Sequence, residues 1–206
     1  MTAGRPAVFL DKDGTLIEDV PYSVDPARLR FTPRALPALR LLRDAGYALV
    51  VVTNQPGLAL GRFSAADLEA LRLALAQKLW REGGVALDGF FFCPHAAEAG
   101  CDCRKPAPGL LLRAAAALGL DPARSWMVGD ILNDVEAGHR AGCRGVLLDV
   151  GHETLWQFTP LRQPRYRAKD LLDAARFILE SHDMNDSLAG SGAAASARES
   201  TVEASA

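Results

Sequence analysis

Two carboxylates two residues apart begin the most informative stretch of the sequence, Asp11-Lys12-Asp13-Gly14-Thr15. At a separation of about 4 Å, two such carboxylates repel each other by roughly 4 kcal/mol at an effective dielectric constant near 20. A hard divalent cation such as Mg²⁺ removes that repulsion and prefers oxygen ligands. A solvated turn can carry the same spacing, so this stretch alone does not decide between a metal site and a surface loop.

Further polar residues that could serve the same chemistry follow later apolar runs: Thr53, Asn54, Arg104, Lys105, Asp130 and Asp134. The hydroxyl and the amide can donate hydrogen bonds to an anionic oxygen. The two cations can bind and neutralise a phosphate group. The two later carboxylates can add oxygen ligands for a metal ion. Each residue has an ordinary explanation when taken singly, but together they favour a phosphate-handling metal site.

A second group of residues could bind a different metal. Cys93, His95, Cys101 and Cys103 form the pattern C-x-H-x5-C-x-C, and these side chains suit tetrahedral zinc. Because the protein supplies all four ligands, we interpret such a site as structural rather than catalytic. A disulfide and a reduced, metal-free cluster are the alternatives. If zinc binds, it fixes the chain that leads directly into Arg104.

The spacing of apolar residues predicts the strands and helices that must position these residues. Short apolar runs predict strands over residues 7–11, 47–53, 89–93, 126–130 and 145–150. Helical patterns lie between or after them, over residues 34–45, 65–82, 108–118, 131–141 and 170–180. The strands are apolar almost throughout, which is typical of a parallel sheet covered on both faces. Alternation at this spacing predicts a doubly wound α/β fold with a mainly parallel sheet.

Local signals support two of these helices. Gly46 is a stop signal for the helix over residues 34–45, in which Pro37 must fall in the first turn. Ser64 and Asp67 form a capping box for the next helix. In doubly wound sheets, ligands bind at the carboxyl ends of the strands. The residues expected at those ends are Asp11, Thr53, Cys93 and Asp130.

Composition limits the classes of function. The chain has 206 residues, 49% of them hydrophobic and 23% charged, with a formal net charge of −2. This balance does not favour a nucleic-acid partner, and no apolar run has the length of a membrane span. The start of the chain does not resemble a signal peptide, so we expect a cytoplasmic protein. Residues 1–183 are expected to form one domain, and residues 184–206, rich in Ala, Ser and Gly, a disordered tail.

Four motifs carry a resemblance to a known family. DKDGT, VVVTN, the lysine of RKP and the GDILND stretch resemble the four motifs of the haloacid dehalogenase (HAD) superfamily of phosphatases, over residues 7 to about 180. The resemblance implies a Rossmann-like core and hydrolysis of a phosphate monoester through an aspartyl-phosphate. It implies that Asp11 attacks phosphorus and that Asp13 acts as general acid and then as general base.

The same resemblance implies the remaining roles at the site. Mg²⁺ would be bound by the carboxylates of Asp11 and Asp130 and by the backbone carbonyl of Asp13. Thr53 and Lys105 would hold the phosphate oxygens, and the lysine would also offset the charge of the nucleophile.

The zinc motif narrows the resemblance to one subgroup. CPH…CDCRKP resembles the phosphatases that act on heptose bisphosphates or on histidinol phosphate. The stretch TNQPGLALGRFS is more similar to the heptose enzymes, which implies D-glycero-D-manno-heptose 1,7-bisphosphate, hydrolysed at its 7-phosphate, as the substrate. Leu60, Ile131 and the short spacing from His95 to Cys101 depart from that pattern. The alternatives are histidinol phosphate as the substrate and a non-catalytic zinc-loop interaction module.

No insertion is long enough for a cap domain, so we expect an open active site and a monomer that acts on a phosphorylated small molecule. Its specificity is expected to come from the loops over residues 19–22 and 55–62 and from the zinc-binding loop. The candidate substrate-binding residues are Asp19, Tyr22, Asn54, Gln55, Arg62 and Arg104.

Overall fold

The computed structural model describes residues 4–181, and its centre is a six-stranded sheet in the order β3-β2-β1-β4-β5-β6. The strands are β1 (Ala7–Leu10), β2 (Ala48–Asn54), β3 (Gly89–Cys93), β4 (Trp126–Gly129), β5 (Arg144–Leu148) and β6 (Tyr166–Ala168). All five neighbouring pairs are parallel. The doubly wound, parallel α/β sheet expected from the sequence is confirmed.

The helices agree with the predicted segments to within about one residue. They are α1 (Ala35–Asp44), α2 (Ala65–Gly83), α3 (Gly109–Leu118), α4 (Leu132–Arg140) and α5, over residues 171–181. Pro37 lies in the first turn of α1, where its missing N–H costs no hydrogen bond. The Ser64–Asp67 capping box of α2 is present in both directions. Four short 3-10 helices lie in the connections, at Pro26–Arg28, Ala97–Ala99, Pro122–Arg124 and Pro160–Arg162.

The core lies on both faces of the sheet, as the apolar strands predict. In β1, Val8 and Leu10 belong to the apolar cluster that includes side chains of α1, α2 and α5. Ala7 and Phe9 belong to the cluster on the other face, which includes side chains of α3. All four residues are fully buried. Because every second residue of a strand faces the same side, a strand buried on both faces must be apolar throughout.

Strand β6 was missed in the sequence analysis. It has only three residues, and its middle residue, Arg167, is exposed and charged. Such a segment gives no periodic signal of useful length. Parallel pairing with β5 defines it, from Val146 opposite Tyr166 to Leu148 opposite Ala168.

The described part of the chain contains no separate cap domain, as expected. Residues 11–34 form a compact flap with one 3-10 helix and a bridge between Ile17 and Phe31. A loop and α2 together connect β2 to β3. No helix among residues 4–181 is long and apolar enough to cross a membrane. The tail predicted over residues 184–206 lies outside the described residues.

Candidate active site

The polar residues predicted at strand ends meet at one edge of the sheet. Asp11 follows β1 and Asp130 follows β4, and these two strands are neighbours at the point where the strand order reverses. A crevice opens at such a switch point because the connections leave on opposite faces. Thr53 lies near the end of β2, on the other side of β1. The residues expected at the strand ends therefore lie together at one edge of the sheet, and their roles stay predictions.

Lys105 reaches the centre of the site. Its Nζ donates a 2.5 Å hydrogen bond to Oδ1 of Asp11 and a 2.9 Å bond to the carbonyl of Val52. It also lies 2.7 Å from Oδ1 of Asp134. Both carboxylates and the ammonium are buried, so three charges share a space from which water is largely excluded. An ion cluster of this kind is retained only when its geometry satisfies each charge.

Asn54 holds the main chain of Lys105 in place. Its Oδ1 accepts a hydrogen bond from the Lys105 N–H at 3.0 Å, and its Nδ2 donates to the Lys105 carbonyl at 3.1 Å. Both polar atoms of the Asn54 side chain are thus hydrogen-bonded within the protein. A direct contact of Asn54 with substrate stays a prediction.

Asp13 is held by donors on both of its oxygens. Lys12 Nζ lies 2.7 Å from Oδ1, and Gln55 Nε2 donates to Oδ2 at 3.0 Å. The same Gln55 nitrogen lies 3.0 Å from the hydroxyl oxygen of Thr53. Gln55, predicted as a substrate-binding residue, therefore connects the candidate acid–base residue to a candidate phosphate-binding hydroxyl.

Asp130 is held in the same way on the opposite side of the nucleophile. The Thr15 hydroxyl donates to Oδ1 at 3.1 Å, and Nδ1 of His152 lies 2.7 Å from Oδ2. Gly14 is needed beside them because its φ is +77° and a Cβ there would lie 2.4 Å from Oδ2 of Asp130. The glycine of DKDGT therefore allows the flap to turn closely past this carboxylate.

Carboxylate oxygens of Asp11, Asp130 and Asp134 lie within 4.8 Å of one another. Burial is the largest cause that raises the pKa of Asp11, and the charges of Asp134 and Asp13 add to it, so that the value is about 7 although Lys105 lowers it. Burial also raises the pKa of Asp130, with a further contribution from Asp11.

The charges at the site do not balance. Four carboxylates, those of Asp11, Asp13, Asp130 and Asp134, face the ammonium groups of Lys12 and Lys105. Two negative charges remain when all four carboxyl groups are ionised. The donor set is hard oxygen, which fits a divalent cation such as Mg²⁺ both in charge and in ligand type.

The cysteine and histidine cluster also comes together. Its four ligating atoms lie within 4.8 Å of one another, and the measured separations run from 3.2 Å, between His95 Nδ1 and Cys103 Sγ, to 3.6 Å, between the sulfurs of Cys93 and Cys101. A zinc tetrahedron with bonds of about 2.3 Å has sulfur–sulfur edges near 3.8 Å. All four cysteines are free, and these separations are far longer than a disulfide bond of about 2.05 Å. The cluster fits a zinc ion.

Main-chain groups support the same cluster. The His95 N–H donates to Cys93, and the N–H groups of Cys103 and Arg104 donate to Cys101. Burial opposes ionisation of Cys101, but these hydrogen bonds and one from the Cys103 side chain lower its pKa to about 6. The guanidinium of Arg113, which the sequence analysis did not single out, donates to the Cys103 sulfur. The loop thus stabilises the thiolate of Cys101, the form that binds metal, whereas burial raises the pKa of Cys93 to about 12.

The remaining predicted substrate-binding residues lie outside the group of buried side chains around Asp11. Tyr22 and Arg62 are exposed and face each other, with the guanidinium carbon 5.7 Å from the ring centroid. Asp19 is exposed on the flap. Arg104 lies away from Asp11 and donates to the His95 carbonyl at 3.4 Å. A contact of these side chains with substrate stays a prediction.

Three site residues were not identified from the sequence. The sequence analysis gave Lys12 no role, but its side chain is 1% exposed and pairs with Asp13. Thr15 is fully buried and donates to Asp130, and His152 lies 2.7 Å from the other oxygen of the same carboxylate. The position of Lys12 between two aspartates was the one available signal. Nothing in the spacing indicated His152, because it comes from a connection 22 residues further along the chain.

Comparisons with known proteins support this interpretation. The sequence model of the HAD-hydrolase-like family matches residues 102–174. The D-glycero-beta-D-manno-heptose-1,7-bisphosphate 7-phosphatase of Haemophilus ducreyi is 42% identical over 151 residues, which cover 70% of this chain and 83% of the relative. The enzyme of that name from Escherichia coli K12 is 42% identical over 144 residues, covering 66% and 75% respectively.

Similarity extends to a solved structure. The crystal structure of a D,D-heptose 1,7-bisphosphate phosphatase from B. bronchiseptica, complexed with magnesium and phosphate, has a TM-score of 0.73 and 33% identity. The match covers 85% of this chain and 99% of that chain. Fold and site together define a HAD-type hydrolase. The chain belongs to the HAD superfamily of phosphatases, in the group that contains the heptose-1,7-bisphosphate 7-phosphatases.

Proposed function

We propose that this phosphatase hydrolyses a phosphate monoester with Mg²⁺ through an aspartyl-phosphate on Asp11. The observation that carries the proposal is the buried contact between Asp11 and Lys105, 2.5 Å long, at the switch point beside Asp130. A carboxylate in such a place can attack phosphorus because a fixed cation offsets its charge.

Asp13 is the proposed general acid and base. In the first step an Asp11 oxygen forms a bond to phosphorus, the ester P–O bond breaks, and Asp13 gives a proton to the leaving alkoxide. In the second step Asp13 takes a proton from water as the water oxygen attacks phosphorus, which releases phosphate and restores the Asp11 carboxylate. Lys12 and Gln55 hold both oxygens of Asp13, which fixes its carboxyl group for these transfers.

Charge neutralisation explains the other roles. We propose that Asp11 and Asp130, with the main-chain carbonyl of Asp13, hold Mg²⁺, which would supply the positive charge needed to bring two anions together. Lys105 offsets the negative charge of the nucleophile, Asp11, and the Thr53 hydroxyl donates a hydrogen bond to a phosphate oxygen. Asp134 keeps Lys105 charged, since the carboxylates of Asp11 and Asp134 raise the pKa of this lysine although burial opposes them.

The proposed substrate is D-glycero-D-manno-heptose 1,7-bisphosphate, hydrolysed at the 7-phosphate. The names and 42% identity of the relatives support this choice. The sequence of the stretch from Gln55 to Arg62 supports it as well, because it resembles the heptose enzymes, and Arg62 in this loop lies over the ring of Tyr22. Since the relatives are named phosphatases, we do not retain the alternative of a non-catalytic interaction module.

Substrate preference can be measured directly. We expect kcat/KM for the heptose bisphosphate to exceed that for histidinol phosphate by at least about tenfold, equivalent to about 1.4 kcal/mol of transition-state stabilisation. The measurement is phosphate release at matched enzyme and Mg²⁺ concentrations. A tenfold preference in the other direction would assign the histidinol phosphate activity instead.

We further propose that Cys93, His95, Cys101 and Cys103 bind a structural zinc ion. Cys103 and Lys105 are separated by one residue, so the metal fixes the start of the segment that delivers the buried lysine. The Asn54 amide fixes its main chain at the other end.

A weak chelator is expected to remove Mg²⁺ and to leave zinc bound. Oxygen ligands hold Mg²⁺ weakly, whereas thiolates and imidazole bind zinc tightly and couple that binding to the folding of the loop. Turnover should stop and return when Mg²⁺ is added back, while metal analysis still finds about one zinc per chain. Loss of zinc together with Mg²⁺ would contradict two sites of different affinity.

Cys101→Ser tests the zinc site in the same experiment, with Cys143→Ser as the matched control. Cys143 is buried outside the cluster, so its replacement should leave zinc content unchanged. Cys101→Ser should lose zinc and lower turnover without abolishing it, because Asp11 remains. Absence of zinc and of two free thiols in the reduced wild-type protein would support a disulfide instead.

A further inference from the structure

A second cavity lies at the opposite edge of the sheet from the active site. Its volume is about 400 Å³, and it is lined by His139, Cys143, Arg144, Gln163, Pro164 and Arg165. Arg144 begins β5 and pairs with Trp126, the first residue of β4. Asp130 follows the other end of β4, so the length of that strand, about 10 Å, separates the two places.

Arg144 is held in this cavity without a carboxylate partner. Its guanidinium carbon lies 4.2 Å from the centroid of the Trp126 ring. The one hydrogen bond of the guanidinium group within the described structure is a 3.4 Å contact to the Arg124 carbonyl. Its Nε is buried and has no hydrogen-bond partner among residues 4–181. A guanidinium has five N–H donors in a fixed plane, so most of this group's capacity is unused.

A second arginine adds like charge at the same place. The main chain of Arg165 is anchored by a 2.8 Å hydrogen bond from its N–H to the Gly145 carbonyl. Burial is the largest cause that lowers the pKa of Arg144. Tyr47 opposes it, the charge of Arg165 lowers the pKa further, and Cys143 has a smaller opposing effect. Neither arginine is in an ion pair within the described part of the chain.

Nearby arginines show the usual arrangement. Arg140 and Arg162 both pair with Glu136, at 2.7 Å and 2.6 Å. The cavity itself has no carboxylate among its lining residues. The nearby carboxylate of Asp121 helps to raise the pKa of Cys143. One of its oxygens already accepts a hydrogen bond from the Ala123 N–H at 3.0 Å. No lining residue of this cavity therefore balances its positive charge.

His139 and Gln163 add further polar groups to the lining of this cavity. Nδ1 of His139 lies 2.8 Å from the Leu161 carbonyl, so this nitrogen carries the proton and Nε2 is left for another contact. The Gln163 side chain adds an amide. Two guanidinium groups, an imidazole and an amide around one space match the oxygens of a phosphate group.

We propose that this cavity binds a small phosphate monoester, with Arg144 and Arg165 on its phosphate group. A volume of about 400 Å³ lies in the range of small-molecule sites and exceeds what inorganic phosphate alone would fill. The site is distinct from the active site and does not depend on the proposed catalytic mechanism.

The test is an NMR titration of the full chain loaded with zinc and Mg²⁺, observing the arginine side-chain N–H resonances. The probes are 2,3-dihydroxypropylphosphonate, which the enzyme cannot hydrolyse, and inorganic phosphate. Signals of Arg144 and Arg165 are assigned by their loss in R144Q and R165Q. We expect both signals to shift with saturation, and the phosphonate to bind more tightly than inorganic phosphate.

R165Q is the decisive variant, because Arg165 is exposed and its replacement should leave the fold intact. We expect it to weaken phosphonate binding at the Arg144 signal by at least about tenfold, while R72Q, on the exposed face of α2, binds as wild type. Turnover by R165Q should stay at the wild-type level. Unchanged binding in R165Q, no saturable shift, or tighter binding of inorganic phosphate would each overturn the proposal.

Discussion

Replacing Asp11 by asparagine is expected to lower kcat/KM by at least about ten-thousandfold and to leave the fold intact. The amide has the shape of the carboxyl group but cannot attack phosphorus. Stability should change little, because burial raises the pKa of Asp11 to about 7 and its charged form is therefore costly in the fold. Lys105 keeps Asp134 as a partner in the variant. Phosphate release and thermal unfolding measure the two effects.

Asp44→Asn is the matched control, since this aspartate is exposed at the end of α1 and does not lie at the carboxyl ends of the strands. It should retain wild-type turnover. Asp13→Asn should also lose most activity, because both proton transfers need a group that can be protonated. Turnover by Asp11→Asn within about tenfold of wild type, in the presence of Mg²⁺, would rule out Asp11 as the nucleophile.

Lys105→Met is expected to lower turnover by at least about a hundredfold and to destabilise the protein by about 3 kcal/mol at pH 8. The reason is that Asp11 and Asp134 are buried with this ammonium between them. Without it, both carboxylates lose their nearest positive charge. Chemical denaturation gives the free energy of unfolding, and phosphate release gives the rate.

The destabilisation should depend on pH in a defined direction. Lys105 lowers the pKa of Asp11, so its removal moves that pKa further above the ordinary value of 3.8. A carboxyl group whose pKa is raised by folding binds more protons in the folded state than in the unfolded state, so the free energy of unfolding falls as pH rises. While Asp11 is protonated in both folded proteins, wild type and variant lose stability in parallel. The deficit of Lys105→Met should therefore grow as pH is raised through about 7 and above, where only the wild-type carboxyl group has ionised.

A double variant separates this electrostatic effect from a packing defect. Asp11→Asn combined with Lys105→Met removes one of the two stranded charges and should recover part of the lost stability. Lys78→Met, which removes a partly exposed lysine that pairs with Glu82 on α2, should change stability by less than about 1 kcal/mol. A deficit that is the same at every pH and is not relieved by Asp11→Asn would show that Lys105 acts by packing alone.

The sequence by itself determined the sheet, most of its strands and the edge that carries the chemistry. Apolar runs ending in Asp11, Thr53, Cys93 and Asp130 identified that edge, because a parallel sheet brings all carboxyl ends to one side. The capping box at Ser64 determined the start of α2 through contacts within four residues. The candidate zinc ligands could also be identified, since they come from a span of eleven residues. These features depend on local periodicity and short spacing.

Only the tertiary structure decided how the site is held together. Lys12 is buried against Asp13, Asn54 supports the main chain of Lys105, and His152 lies on Asp130. The three-residue strand β6 exists because β5 supplies its hydrogen bonds. The two unpaired arginines of the second cavity are likewise brought together from separate segments. Contacts between residues far apart in the chain have no periodic signature, because the free energy that selects them comes from burial and charge pairing after the elements have packed.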